Sequence, residues 1–257
     1  MSDFSIGSWS FHGLFNSGKM SLFGYLESIK YRYRLRHADI WNGMLLSTEA
    51  AYIQSIRHTL REEGLTVANL AVDGADVWHD DPDVRERNHQ KALQYLDIAR
   101  QWGVQTLRID LGGKTVDMTE EQVEFCVKRY REYAQFAADY GFRVGPQTHQ
   151  APAQSPRNLK RLADEMAAPG FGIILNVNRW LMDKAVGDEI VAPFTIHVQF
   201  DRAFVDFKGS ELLDKVKLFR EAGYQGCWSM EFRGGTDEYL EIERDLLDIR
   251  QAVGLAD

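Results

Sequence analysis

Polar and ionisable side chains recur where apolar, strand-like segments of this sequence end. Glu231 and Arg233 are two residues apart, as are His197 and Gln199, so each pair shares a face if its segment is a strand. Carboxylates and imidazoles can carry protons, whereas guanidinium and amide groups can stabilise a charged oxygen. This combination of residue types indicates proton transfer next to a carbonyl group.

Similar side chains end the other strand-like segments, which predicts that they converge on one polar pocket for a hydroxylated small molecule. We expect Glu231, His149 and His197 to transfer protons. The residues that we expect to contact the ligand are Trp9, His12, Trp41, Asn69, Arg108, Asp110, Gln147, Asn176, Arg179, Gln199 and Arg233. Any single one of these polar groups could instead satisfy the backbone of a neighbouring loop.

A repeated unit would position these residues, because a helix-like segment ends on glycine and an apolar strand follows at once. Gly64, Gly103, Gly141 and Gly223 stand at such junctions. The pattern predicts strands near Phe4–Ser8, Arg36–Ile40, Thr66–Val72, Thr106–Asp110, Arg143–Gln147, Gly172–Asn176, Thr195–Gln199 and Gly226–Glu231. It predicts helices near Leu22–Tyr33, Glu49–Glu63, Asp83–Trp102, Glu120–Tyr140, Pro156–Ala167, Trp180–Val186, Glu211–Ala222 and Glu238–Val253.

This alternation predicts an α/β fold, a single (β/α)8 TIM barrel that spans residues 1–257 as one domain. Eight units of about 32 residues match the usual size of such a barrel. Thr119, Ser155 and Ser210 are expected to begin helices, Thr119 through a capping box. An open, doubly wound sheet is the alternative, but no G-x-G-x-x-G motif opens the first helix.

Bulk composition restricts the partners and the compartment. A formal charge of −8 argues against nucleic acid or an anionic membrane as the main partner. No apolar run approaches the ~20 residues of a membrane span, and the N-terminus lacks the pattern of a signal peptide. Cys126 and Cys227 are expected to be core thiols. A cytoplasmic enzyme or binding protein is therefore the expectation.

Six segments, in this order, resemble the sugar phosphate isomerase/epimerase family of TIM barrels, also described as xylose isomerase-like or AP-endonuclease-2-like. They are IGSWSFHG, HADIWNG, GPQTHQ, ILNVNRW, IHVQFD and WSMEFRGG. The resemblance covers nearly the whole chain and rests on the order and spacing of the segments, since no single motif is specific. It implies a xylose isomerase-like barrel that acts on a carbohydrate-like small molecule.

Members of this family bind Mn²⁺, Mg²⁺ or a similar ion through a Glu, an Asp or His, a His and a Glu on the last four strands, and the ion supports enolisation. The resemblance carries these positions onto Gln147, Asn176, Gln199 and Glu231. Three amides bring no charge to the site, so we expect no metal cofactor and amides that bind hydroxyl groups instead. The alternative is that His149 or His197 replaces a lost ligand, and that Mn²⁺, Mg²⁺ or Zn²⁺ binds.

Three functional hypotheses follow. The first is a metal-independent isomerase, epimerase or lyase for a sugar, keto-sugar or related polyol, in which arginines and amides replace the cation. The second is a catalytically silent sugar-binding barrel, or a subunit of a heteromeric enzyme like the C-glycoside-cleaving relatives. The third is a metal-dependent isomerase with unusual ligands. A homo-oligomer is compatible with all three.

Overall fold

The computed structural model describes residues 3–234 and 237–256. Met1, Ser2 and Gly235, the last residue of the segment WSMEFRGG, lie outside the described residues. Strands within these ranges are β1 (Phe4–Ile6), β2 (His37–Trp41), β3 (Thr66–Val72), β4 (Thr106–Ile109), β5 (Arg143–Gly145), β6 (Ile173–Asn176), β7 (Thr195–Asp201) and β8 (Trp228–Glu231). All pairings between these strands are parallel.

The strands close into a barrel. Two four-stranded sheets have the orders β1-β8-β7-β6 and β2-β3-β4-β5. An isolated bridge between Gly7 and Asp39 joins β1 to β2, and bridges from Val144 and Gln147 join the β5 segment to the β6 segment. The predicted α/β fold, a (β/α)8 barrel, is confirmed.

Helices follow the strands and surround the barrel. They are α1 (His12–Asn16), α2 (Leu22–Glu27), α3 (Ala50–Glu62), α4 (Pro82–Trp102), α5 (Glu120–Asp139), α6 (Pro156–Met166), α7 (Gly187–Val191), α8 (Glu211–Glu221) and α9 (Glu238–Leu255). A π-helical turn over Ser28–Arg32 continues α2. In the part of the chain that the structure describes, none of these helices has the length and apolar character that crossing a bilayer requires.

The ends of the helices agree with the sequence signals. Gly64, Gly103, Gly141 and Gly223 all have positive φ, as expected of residues that end a helix and turn the chain into a strand. The Thr119 hydroxyl accepts from the Gln122 backbone NH, and the Gln122 side chain accepts from the Thr119 NH, which completes the predicted capping box.

Two further caps were expected. Ser155 accepts a hydrogen bond from the Asn158 NH and begins α6. Ser210 precedes α8 but makes no side-chain capping bond.

The prediction of a sixth helix over Trp180–Val186 is wrong. This segment is irregular, and α7 begins only at Gly187. Asp183 has a φ of 47°, which interrupts a right-handed helix. The Trp180 indole also donates to Asp188 Oδ1 at 2.7 Å, so the segment folds back onto the start of α7.

Tyr25 on α2 holds the junction between the two sheets, where the regular ladder is interrupted. Its hydroxyl donates to the Ile6 carbonyl at 2.6 Å and accepts from the Asp39 NH at 2.9 Å. The fully buried ring thus connects β1 to β2 through groups that would otherwise lack partners. It also fixes the backbone of Asp39, which lies at the floor of the cavity described below.

Both cysteines are buried, as predicted for core thiols. Burial raises the pKa of the Cys126 thiol to about 12. Burial also raises the pKa of the Cys227 thiol, so neither sulfur is a thiolate at neutral pH.

Candidate active site

A cavity of about 120 Å³ opens at the carboxyl ends of the strands, where TIM barrels carry their active sites. It brings together a large part of the predicted site. The lining residues are Gly7, Ser8, Trp9, Asp39, Trp41, Ala71, Asp73, Arg108, Gln147, His149, Arg179, Gln199, Glu231 and Arg233.

Five predicted site residues are not part of this lining. Asp110, Asn69 and His197 are buried behind it and hydrogen-bond to lining residues. His12 stacks on Trp9 with 4.5 Å between the ring centroids. Asn176 is fully buried, and its side-chain nitrogen and oxygen have no hydrogen-bond partner among the described residues.

Arg108 on β4 is the most enclosed cation of the cavity. Its Nη1 donates to Gln147 Oε1 at 2.8 Å, its Nη2 donates to Asp73 Oδ1, and its Nε lies 3.5 Å from Asp110 Oδ2. Burial lowers the pKa of Arg108, but the carboxylates of Asp110 and Asp73 outweigh it and raise this pKa above its ordinary value. The cavity therefore contains a permanent positive charge.

His149 and Asp110 form a coupled pair beside that cation. His149 Nδ1 lies 3.2 Å from Asp110 Oδ2, while Asp110 Oδ1 accepts from the Gln147 NH at 3.2 Å. Burial raises the pKa of Asp110, but Arg108 and the bond from His149 bring it below its ordinary value. When Nδ1 donates to this carboxylate, Nε2 of a neutral imidazole keeps a lone pair that can accept a proton.

Glu231, at the end of β8, is a second ionisable group of the cavity. It is buried, and its Oε1 accepts from Arg233 Nη2 at 2.7 Å. Burial and the nearby Asp201 raise the pKa of Glu231 despite the arginines around it. A carboxyl group whose pKa moves toward neutrality is suited to acid–base chemistry.

Asp39 organises the floor of the cavity, and it was not among the predicted site residues. Its Oδ2 accepts from His197 Nε2 at 2.9 Å, Gln199 Nε2 at 3.1 Å and Ser229 Oγ at 2.8 Å, and its Oδ1 accepts from Asn69 Nδ2 at 3.0 Å. Burial raises the pKa of Asp39, but these bonds, led by His197, lower it below its ordinary value. An acidic residue between apolar neighbours in HADIW was the signal that could have found it.

Trp9 and Trp41 form an apolar wall of the cavity. Their rings meet edge to face with centroids 4.9 Å apart. Trp41 Nε1 donates to Asp73 Oδ2 at 2.7 Å, which fixes its ring against the wall. Asp73 was also absent from the predicted set, although it follows β3 directly.

At three of the four positions that the family resemblance assigns to a metal ion, a side-chain oxygen already has a partner. Gln147 Oε1 accepts from Arg108, and Gln199 Oε1 accepts from Gln147 Nε2, so both amide oxygens are already bonded. Glu231 is the single carboxylate among the four residues and is paired with Arg233. One carboxylate beside arginines gives a divalent ion little compensation for its lost hydration.

Another cluster has donors of the type that metals bind. Asp73, Asp110 and His149 present ligand atoms that all lie within 4.8 Å of one another. Two of these residues, Asp73 and Asp110, already surround the guanidinium of Arg108.

Residues 33–250 match the family model described as xylose isomerase-like TIM barrel, and the chain belongs to this family. A search of curated proteins gives no match.

Solved structures share the fold at low sequence identity. An L-ribulose 3-epimerase superposes with a TM-score of 0.79 at 13% identity, over 100% of this chain and 96% of the other. D-psicose 3-epimerase from Clostridium cellulolyticum H10, solved with D-tagatose, has a TM-score of 0.74 at 14% identity over 91% and 94% of the two chains. A xylose isomerase-like protein from Mycobacterium smegmatis in complex with magnesium has a TM-score of 0.68 at 12% identity over 91% and 90%.

Proposed function

We propose that this chain is an isomerase or epimerase for a sugar, keto-sugar or related polyol in the cytoplasm. It would transfer a proton next to a carbonyl group without a divalent ion at the family positions. The observation that carries this proposal is the bond from Arg108 to Gln147 Oε1, which places a fixed cation beside the first family ligand position. The epimerases among the structural neighbours support a carbohydrate as the substrate class.

Arg108 would stabilise the negative charge that develops on the substrate oxygen during enolisation. Two carboxylates hold its guanidinium, so it needs little reorganisation when this charge appears. Loss of one fixed donor of this kind typically lowers kcat by about 10²–10³-fold.

Glu231 and His149 would be the proton carriers, since both line the cavity, Glu231 at the end of β8 and His149 in the segment after β5. One would remove the proton next to the carbonyl, and the other would return a proton to the enediolate. A lyase would begin with the same proton removal and then expel a leaving group. His197 is bonded to Asp39 behind the lining, so we assign it to positioning Asp39.

The cluster of Asp73, Asp110 and His149 favours one alternative, a metal-dependent enzyme with its ion in a shifted position. Carboxylate and imidazole ligands suit Mn²⁺ or Zn²⁺, and such an ion would supply Lewis acidity. Elemental analysis of protein purified without chelator separates the two proposals. A stoichiometric ion that is lost in an Asp110→Asn variant would overturn the metal-free proposal.

Solvent-deuterium exchange into ketopentoses and ketohexoses, followed by NMR, tests the activity itself. We expect exchange that survives EDTA, is abolished by Glu231→Gln and falls about 10²-fold in Arg108→Gln, as expected for loss of a fixed charge. Arg57→Gln, a change at an exposed position of α3, is the control. A barrel that gains thermal stability from a sugar but exchanges no proton would instead be a silent binding protein or a subunit that needs a partner.

A further inference from the structure

The three arginines of the cavity differ in how they are neutralised. Arg108 is paired with Asp73 and Asp110, and Arg233 is paired with Asp201 and Glu231. Arg179 lines the same cavity, yet its guanidinium makes neither an ion pair nor a hydrogen bond with any residue of the described ranges. One cation of the cavity is therefore left without a counter-ion.

The surroundings of Arg179 make this lack of a partner costly. Arg179 and Arg233 both lie over the ring of Phe204, each with its guanidinium carbon 5.5 Å from the ring centroid. Burial and the charge of Arg233 lower the pKa of Arg179 by more than the nearby carboxylates of Glu231, Asp201 and Asp110 raise it. A half-buried cation that faces another cation is stabilised strongly when an anion binds between or beside them.

The backbone around Arg179 is fixed before any ligand binds. Asn178 has a φ of 62°, and its Nδ2 donates to the Phe204 carbonyl at 3.1 Å and to Glu211 Oε1 at 2.8 Å. Gln154 Nε2 donates to the Arg179 carbonyl at 3.2 Å. The bonds of Asn178 tie the segment after β6 to the segment after β7. Little backbone entropy is therefore lost when a ligand pairs with the Arg179 side chain.

We infer that Arg179, with Arg233 beside it, is a subsite for a carboxylate, and that the substrate of this cavity is a sugar acid. The inference rests on the proposed function for the sugar, but the anion subsite stands on its own contacts. Planar guanidinium groups match the geometry of a carboxylate.

Charge favours a carboxylate over a phosphate. A carboxylate brings one negative charge into this cavity, whereas a phosphate monoester carries about −1.5 to −2 at pH 7. The extra charge would lie near Glu231 and Asp201, which are themselves acidic.

Isothermal titration calorimetry with matched sugars tests the subsite without any turnover. The probes are D-glucuronate and D-galacturonate, each compared with its neutral parent sugar, together with D-glucose 6-phosphate. We expect each uronate to bind at least about tenfold more tightly than its parent, as a charge-assisted hydrogen bond provides. Arg179→Gln should remove this preference, Arg179→Lys should keep part of it, and Arg57→Gln should leave it unchanged.

Several outcomes would overturn the inference. They are equal binding of uronate and parent sugar, no binding of any probe at high concentration, or an unchanged preference in a folded Arg179→Gln variant. Tighter binding of D-glucose 6-phosphate than of D-glucuronate would replace the carboxylate site by a phosphate site. If uronates bind through Arg179 but no sugar exchanges its proton, the subsite stands and the proposed activity fails.

Discussion

Arg108 Nη1 donates to Gln147 Oε1 across 2.8 Å, and the two side chains come from neighbouring strands of the barrel. This pair places a cation of the protein itself where the family has a carboxylate ligand for a metal ion. A glutamate at position 147 would form an ion pair with this guanidinium. Its charge would then be neutralised by Arg108 and would not be free to bind a metal ion.

Restoring the family ligands should not by itself restore a metal site. We expect the triple variant Gln147→Glu, Asn176→Asp, Gln199→His to bind Mn²⁺ weakly, because Arg108 remains beside the new carboxylate. Adding Arg108→Gln should raise the affinity at least about tenfold, since a like-charged neighbour of the ion is removed. Titration of Mn²⁺ followed by electron paramagnetic resonance measures both constants.

Circular dichroism of both variants serves as the control for folding in that experiment. Equal Mn²⁺ affinity with and without Arg108, in two folded variants, would show that the arginine does not exclude the ion.

Glu231 should link activity and stability to pH in opposite directions. Its pKa is raised above the ordinary 4.5, chiefly by burial, so the base form and the exchange rate should increase as pH rises through the raised pKa. A carboxyl group whose pKa is raised on folding stabilises the folded state at pH values below its unfolded pKa. This contribution to stability is lost as the pH rises through the folded pKa. Glu231→Gln should therefore abolish exchange and raise Tm at pH 7 relative to the parent.

The pH dependence of this difference is the check. The gain in Tm from Glu231→Gln should shrink as pH falls toward the ordinary pKa of glutamate, because the parent is then protonated as well. If the gain in Tm stays constant with pH, the ionisation of Glu231 is not its cause.

The barrel was predictable from local patterns, but the centre of the site was not. Glycine before an apolar strand is a local signal, and alternation along β7 correctly placed His197 and Gln199 on one face, where both donate to Asp39. The role of Asp39 depends on His197 and Ser229, which are 158 and 190 residues away in sequence. No local pattern encodes such a contact, and the ion pairs of Arg108 with Asp73 and of Arg233 with Asp201 likewise join residues that are distant in sequence.

Asp39 should be the most sensitive polar position of the barrel. Its removal in Asp39→Ala leaves four buried donors, on Asn69, His197, Gln199 and Ser229, without their acceptor. We expect the free energy of unfolding to fall by about 3–5 kcal/mol, as for other broken buried charge networks. Urea denaturation at pH 7 measures it.

Asp214→Ala, at an exposed position of α8, is the matched control and should change stability by no more than about 0.5 kcal/mol. Because the pKa of Asp39 is lowered, its contribution should be complete above the ordinary value of 3.8 and should be lost as pH falls through the lower folded value. Similar losses in the two variants at pH 7 would contradict a central role for Asp39.

Asn176 should be a position where stability and ligand binding oppose each other. Its amide is fully buried, and neither polar atom has a hydrogen-bond partner among the residues that the structure describes. An unpartnered buried polar group costs about 1–3 kcal/mol, so Asn176→Leu should increase the free energy of unfolding by about 1 kcal/mol. If the amide binds a hydroxyl of the ligand, the same change should weaken sugar binding in calorimetry.

Asn158→Leu is the contrasting control, because Asn158 Nδ2 donates to the Val116 carbonyl at 2.7 Å. Loss of this bond should destabilise the barrel without altering the ligand affinity. A destabilised Asn176→Leu variant that binds sugar as the parent does would show that the amide has a structural partner instead.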